Sequence, residues 1–408
     1  MKGNFMEPID PVSTSRRSFV AGAAAAGVAA LFPNLVSGAQ AGGNNPRRID
    51  VHHHFTPQVY LDYQRAHPEA GGGGGQAAGA RGGAQRGDGA RGGQGGGAAR
   101  GGAPAGAGGP GAWVLERDME DMDKNGTATA ILSITTPAFW FGGIEENRKV
   151  MRGCNEAAAK IRMGHPGRFG SFAAVPMLDP EGALKEIEYT IDTLKADGLG
   201  IFTNYGQNKW LGDAIFNPIW EEVNRRGLVV YIHPAEAACC RGMGGPAATL
   251  VEYGADTTRT IGSLVQNGTT SKYPNIKYIF SHGGGMMPYV IERFLGGTAE
   301  EVVPGIVTKG QGGTGVLHSG YSERVPKGVL YELRRQYYDT AQASNPVAMG
   351  ALRQVVPVTQ IVYGTDYWYR TAEETSRGLT TNKVFNAEEL RMINRGNVER
   401  IIPKYKGT

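Results

Sequence analysis

Eight times along this chain a short, β-branched, apolar run is followed by a stretch whose apolar residues recur with helical spacing, and that alternation narrows the fold to the α/β class. The runs cover 48–55, 128–135, 169–176, 198–203, 228–233, 276–282, 336–340 and 360–366. Helical patterns fill 113–124, 147–163, 181–196, 218–225, 257–267, 287–294 and 346–355, and a last one covers 387–402. Eight strand-helix units in 408 residues predict a (β/α)8 TIM barrel. An open doubly wound sheet would carry a Gly-rich phosphate turn after its first strand. Here the first strand ends in histidines instead.

Composition then separates the barrel from its appendages. Of the 63 glycines, many crowd into 71–112, where nearly every other residue is Ala, Arg, Gln or Pro. Such a segment cannot build a core, so it is expected to be a disordered insertion after strand one, on the side of the barrel mouth. The formal charge of +4 resides in this insert and in the N-terminal leader, which leaves the rest of the chain neutral. Binding nucleic acid through phosphates needs a concentrated positive surface, so a nucleic-acid partner is excluded despite the RGG-like spacing of the insert.

The leader reads Thr14-Ser15-Arg16-Arg17-Ser18-Phe19-Val20, then a mild Ala/Gly run to Phe32, then Ala39-Gln40-Ala41. Twin arginines before a modest apolar stretch and a small-residue cleavage site predict a twin-arginine export signal over 1–41, with 42–408 as the metal-dependent barrel. The expected address is periplasmic, with the twin-arginine machinery as a partner. The run is too short and too mild for stable membrane insertion, which takes about 20 strongly apolar residues. Three cysteines are too few for a disulfide framework, and adjacent Cys239 and Cys240 read as two loop thiols or a strained vicinal disulfide.

Chemistry concentrates at the strand ends. In Ile49-Asp50-Val51-His52-His53-His54-Phe55 the two-residue period puts His52 and His54 on one face and His53 on the other. His233 ends strand five, His282 ends strand six before Gly283-Gly284-Gly285, and Asp366 ends strand eight. A single histidine of this kind reads as a satisfied core or capping residue. The joint pattern reads differently, because all strand C-termini of a barrel meet at one mouth, and three imidazoles with a carboxylate suit Zn²⁺ and related divalent ions such as Mn²⁺.

These residues carry a resemblance. IDVHHHFTP (49–57), HPGRFGSFAAVPMLDP (165–180), VVYIHP (229–234), HGGGMMPYVIER (282–293), GTDY (364–367) and GNVERII (396–402) span the mature chain in order. The chain resembles the amidohydrolase superfamily, in the branch that includes aminocarboxymuconate-semialdehyde decarboxylase. By that resemblance His52, His54, His233 and Asp366 are metal ligands and His282 holds and deprotonates the metal's water. Arg293 matches an arginine that crosses from a neighbouring subunit to a substrate carboxylate, which implies a homodimer. Strand four reads Gly200-Ile201-Phe202-Thr203-Asn204, without the lysine that bridges two metals, so one divalent ion per chain is implied.

A metal with an open position lowers the pKa of its water toward about 7, and His282 and Asp366 are the expected catalytic residues for moving its proton. The leading expectation is non-oxidative decarboxylation of an aromatic or conjugated carboxylic acid. Hydrolysis of a lactone, ester or amide starts from the same species and stands as the alternative, with a non-catalytic periplasmic metal-binding protein behind it. Arg293 is the candidate for the substrate carboxylate, with a surface ion pair as its plainer reading. Trp220, with Trp210, Tyr367 and Trp368, is a candidate to stack on the substrate, against plain core packing.

Overall fold

The structure is a computed structural model, and it describes residues 45–67, 113–136, 142–206, 209–240, 247, 249–296 and 322–407. The expected leader (1–41) and the expected insertion (71–112) lie outside the described residues.

Eight parallel strands form one sheet in chain order. They are β1 (Arg48–His54), β2 (Thr127–Ser133), β3 (Phe169–Ala173), β4 (Gly198–Phe202), β5 (Val229–His233), β6 (Lys277–Phe280), β7 (Tyr337–Asp339) and β8 (Ile361–Val362). The sheet returns on itself, since Val51 N–H donates to Tyr363 O (3.0 Å), Asp366 N–H to His52 O (2.9 Å) and His54 N–H to Tyr367 O (3.0 Å). This is a (β/α)8 TIM barrel, and each of the eight predicted runs supplies one of its strands.

Local sequence explains the punctuation. The helix Leu115–Asn125 stops at Gly126, which takes the left-handed φ of 68° that favours glycine, and β2 begins at the next residue. The helix Pro346–Val355 starts where Asn345 accepts the N–H groups of Val347 and Ala348, with Pro346 in the first turn. The sequence pattern missed a helix at Gln58–Ala66 and a two-residue hairpin pairing 204–205 with 209–210. It also overextended the helix at 287–294. Turns carry the chain to Val290 and only Ile291–Leu295 is helical, in keeping with the restriction that Pro288 places on the residue before it.

Alternation along the strands divides the interior from the outer shell. Ile131, Phe172, Val229, Tyr231, Ile279, Tyr337 and Val362 form an inner apolar cluster with Ile49 and Val51, closed off by Val398, Ile401, Ile402 and Tyr405. Their strand neighbours, among them Leu132, Val230, Ile232, Tyr278 and Phe280, pack in the larger cluster with the helices. On β1 the alternation is interrupted. Asp50 pairs with Ala130 and His53 with Leu132, so Val51 and His52 together stand opposite the single residue Ile131. This bulge turns Asp50 and His53 away from the interior and leaves His52 and His54 inside. Among the described residues no helix is long and apolar enough to cross a membrane.

Candidate metal centre

Four side chains meet at the C-terminal end of the barrel, supplied by β1, the end of β5 and the segment after β8. His52, His54, His233 and Asp366 each offer one donor atom, and these atoms all lie within 4.8 Å of one another. All four residues are buried. Asp366 reaches the cluster from a left-handed backbone (φ 67°), a conformation that carries strain outside glycine and marks functional sites.

Hydrogen bonds set which nitrogen of each ring faces inward. His52 Nδ1–H donates to Asp339 Oδ2 (2.7 Å), and His233 Nδ1–H donates to the Pro234 carbonyl (2.8 Å). With Nδ1 engaged in this way, Nε2 is the atom that each of these rings turns to the cluster. His52 Nε2 lies 3.1 Å from His54 Nε2, and Asp366 Oδ1 lies 3.2 Å and 3.1 Å from these two nitrogens. Yet Asp366 Oδ1 is buried with no hydrogen-bond partner among the described residues. Three imidazoles and one carboxylate converging this closely in a buried site are a fitting donor set for a divalent metal.

The electrostatics agree. Burial pulls His52 down, but Asp339 and Asp366 override it and raise the ring to about 10. Burial pushes His54 down to about 4, with the nearby Asp366 carboxylate opposing, and drives His233 well below the usual imidazole range. Burial would raise Asp366, but the surrounding histidines, led by His52, hold it well below the usual carboxylate range. The two carboxylates thus draw positive charge to His52 while His54 and His233 stay neutral, and a field that attracts a proton there attracts a metal cation in its place.

His282 is near the cluster without being one of its four donors. Its ring centroid is 5.0 Å from His52, and its Nε2 is 3.6 Å from Asp366 Oδ2 and has no hydrogen-bond partner among the described residues. It follows β6 on a tight turn with φ 54°, and Gly283, Gly284 and Gly285 continue at φ 65°, 80° and 65°. A Cβ on Gly284 would sit 2.8 Å from the Tyr338 ring and one on Gly285 2.3 Å from the Gly254 carbonyl, so the run needs glycine for space as well as for φ.

His53 points the other way and fastens the strand. It lies between Asp50 Oδ2 (2.9 Å) and Asp118 Oδ1 (2.8 Å) and stacks on Tyr367 at 4.6 Å. Against the pull of burial, Asp118 and Asp50 raise it to about 10, so it is the charged centre of a buried ion triad.

The other predicted residues disperse. Trp220 is wholly buried on the helix Asn217–Arg226, donates Nε1–H to Leu211 O (2.9 Å) and packs edge-on to Tyr278. Tyr278 faces the helical shell, so Trp220 packs outside the barrel wall and its expected contact with substrate is corrected. Trp210 Nε1–H is committed to Asp256 (2.8 Å). Arg293 is exposed on the helix Ile291–Leu295 and makes no ion pair among the described residues. Trp368 does approach the cluster. It stacks with Tyr369 at 5.1 Å, and both meet His54 edge-on at 6.4 Å and 6.1 Å. Cys239 and Cys240 are not joined by a disulfide, and their Sγ atoms lie 3.0 Å apart.

Sequence reasoning missed Asp339 on β7 and Gln342 just beyond it, whose side-chain amide donates to Asp366 Oδ2. The signal for Asp339 was present. Strand 336–340 carries a carboxylate near its C-terminal end, as the eighth strand does.

Comparison with known families matches residues 49–404 to Amidohydro_2, described as amidohydrolase. The chain belongs to the amidohydrolase family. This amidohydrolase is 33% identical over 304 residues to a 6-methylsalicylic acid decarboxylase of Penicillium expansum, covering 72% of this chain and 88% of that one. It is 31% identical over 329 residues to the 6-methylsalicylic acid decarboxylase acuB of Aspergillus aculeatus, covering 78% and 84%. Among solved structures it superposes on 5-carboxyvanillate decarboxylase from Novosphingobium aromaticivorans, complexed with manganese and 4-hydroxy-3-methoxy-5-nitrobenzoic acid. That match has a TM-score of 0.67 at 20% identity and covers 89% of this amidohydrolase and 97% of the other chain.

Proposed function

We propose that this amidohydrolase is a metal-dependent, non-oxidative carboxy-lyase acting on a hydroxylated aromatic acid, with 6-methylsalicylic acid as the first candidate. The observation that carries the reading is the buried His52, His54, His233 and Asp366 cluster in a chain at least 31% identical to two decarboxylases of that acid. The reaction replaces a ring carboxylate by hydrogen: the bond from ring carbon to carboxylate breaks, its electron pair stays on the ring carbon, a proton joins that carbon and CO₂ leaves.

His52, His54, His233 and Asp366 would hold the ion, and when bound it supplies Lewis-acid chemistry toward oxygen atoms of the substrate or of a water. Zn²⁺ and Mn²⁺ both suit three imidazoles and a carboxylate. His282 Nε2 and Asp366 Oδ2, 3.6 Å apart at the edge of the cluster, would pass the proton. The stacked Trp368 and Tyr369 offer an aromatic wall beside His54 for the substrate ring. Arg293, exposed on its helix, is proposed to serve the site of a second copy in a homodimer, which sedimentation of wild type against Arg293→Ala would test.

Export by the twin-arginine route, proposed from Arg16-Arg17 and Ala39-Gln40-Ala41, would carry the folded, metal-loaded barrel to the periplasm. Cell fractionation of the wild-type chain and of Arg16→Lys/Arg17→Lys checks it. The deciding experiment for the activity is metal analysis of purified protein, followed by incubation with 6-methylsalicylate. About one metal per chain with CO₂ and 3-methylphenol in equal amounts is expected. One metal with hydrolysis of lactones or esters and no CO₂ overturns the carboxy-lyase reading, and no metal overturns the mechanism.

A further inference from the structure

We infer that Asp339, on a strand that supplies no metal ligand, is the positioning residue that ties the ligand His52 to the proton-handling His282, and that Gly364 is kept small to let it do so. The inference rests on the reading of the site above. Asp339 is fully buried, and both of its oxygens are used. Oδ2 accepts His52 Nδ1–H at 2.7 Å, while Oδ1 accepts the backbone N–H of His282 at 2.8 Å and that of Ala341 at 3.0 Å.

The carboxylate therefore acts on two strands at once. In the barrel β7 neighbours β6 and β8, so the amide of His282 is next door but His52 on β1 lies beyond β8. What separates Asp339 from His52 is Gly364. A Cβ there would sit 2.8 Å from His52 Cβ and 2.9 Å from Asp339 Cβ, which no real packing tolerates. The same crossing is pinned by a reciprocal pair: Thr340 Oγ1–H donates to Gly364 O at 3.0 Å, and Gly364 N–H donates to Thr340 Oγ1 at 3.1 Å.

Two effects follow. Holding Nδ1–H keeps the His52 lone pair on Nε2, aimed into the cluster, and a carboxylate behind an imidazole strengthens it as a donor. Holding the His282 amide secures a residue whose φ of 54° has no glycine to relieve it. One side chain thus links the donor strength of the site to the placement of the group that moves the proton.

The test uses full-length protein stripped of metal and titrated with Co²⁺, whose visible spectrum reports ligand geometry, with Zn²⁺ affinity measured by competition. Asp339→Asn is expected to weaken Co²⁺ and Zn²⁺ binding by roughly 10- to 100-fold and to alter the Co²⁺ spectrum, while metal-free melting shows that it folds. Gly364→Ala, which leaves the carboxylate in place, is expected to weaken binding in the same direction, and it keeps the question open should Asp339→Asn not fold. With metal at saturating levels, Asp339→Asn is expected to lower kcat more than it raises KM. Folded Asp339→Asn that binds both ions as wild type does, with an unchanged spectrum, overturns the inference alone. Wild-type protein that binds neither ion overturns the site itself and this inference with it.

Discussion

The floor and the mouth of this barrel are made from the same strands but hold together by different physics. Along β5, Val229 and Tyr231 enter the inner apolar cluster and His233, two residues on, enters the metal centre. Along β1, Ile49 and Val51 enter the same cluster, and the bulge brings the very next residue, His52, into the metal centre. Floor contacts are non-directional and proportional to buried area, so neighbours share the loss when one side chain changes. Mouth contacts depend on direction: a tautomer held by Asp339, a carbonyl of Pro234 and left-handed backbones at His282, Gln342 and Asp366. Stability therefore resides mainly in the floor and function in the mouth.

Substitutions can break or sharpen that division. The largest effect is expected from His233→Ala or Asp366→Ala, which remove a donor from the cluster. Metal affinity should fall by more than the roughly 10- to 100-fold that a supporting residue costs, with turnover lost and the melting temperature of metal-free protein little changed. Next comes His282→Ala, expected to keep about one metal per chain and to lower kcat by roughly 10²- to 10⁴-fold. Metal loss equal to that of His233→Ala would make His282 a fifth ligand.

The floor should behave oppositely. Phe172→Ala removes a buried ring stacked on Tyr231 at 5.6 Å and is expected to cost about 3–5 kcal/mol in denaturant unfolding. Folded Phe172→Ala should bind Zn²⁺ as wild type does, and a joint loss of affinity would show that floor packing sets the mouth. The smallest effect belongs to Tyr278→Phe. That hydroxyl is buried with no hydrogen-bond partner among the described residues, so its removal should shift stability by about 1 kcal/mol or less, on the stabilising side, and leave turnover alone.

How legible these regions were differs for the same reason. The floor and shell follow period-two apolar alternation, a local property, and every predicted strand was found near its expected place. His52, His54, His233 and Asp366 were readable because each ends a recognisable strand, and a barrel brings strand ends together. Trp220 was misplaced because an aromatic residue on a helix says nothing about which layer it enters. Asp339 was overlooked because its importance lies in reaching past Gly364 to a residue nearly three hundred positions earlier.

Taken alone, the sequence determined the fold class, the strand order and the donor types at the strand ends, because hydrophobic periodicity and residue chemistry are carried by each short segment. Only the tertiary structure decided which ring nitrogens face the metal, that a bulge opposite Ile131 turns His52 inward, and that Asp339 and Gln342 stand behind the donors. Those are hydrogen bonds between distant strands, and their directions exist only once the barrel has closed.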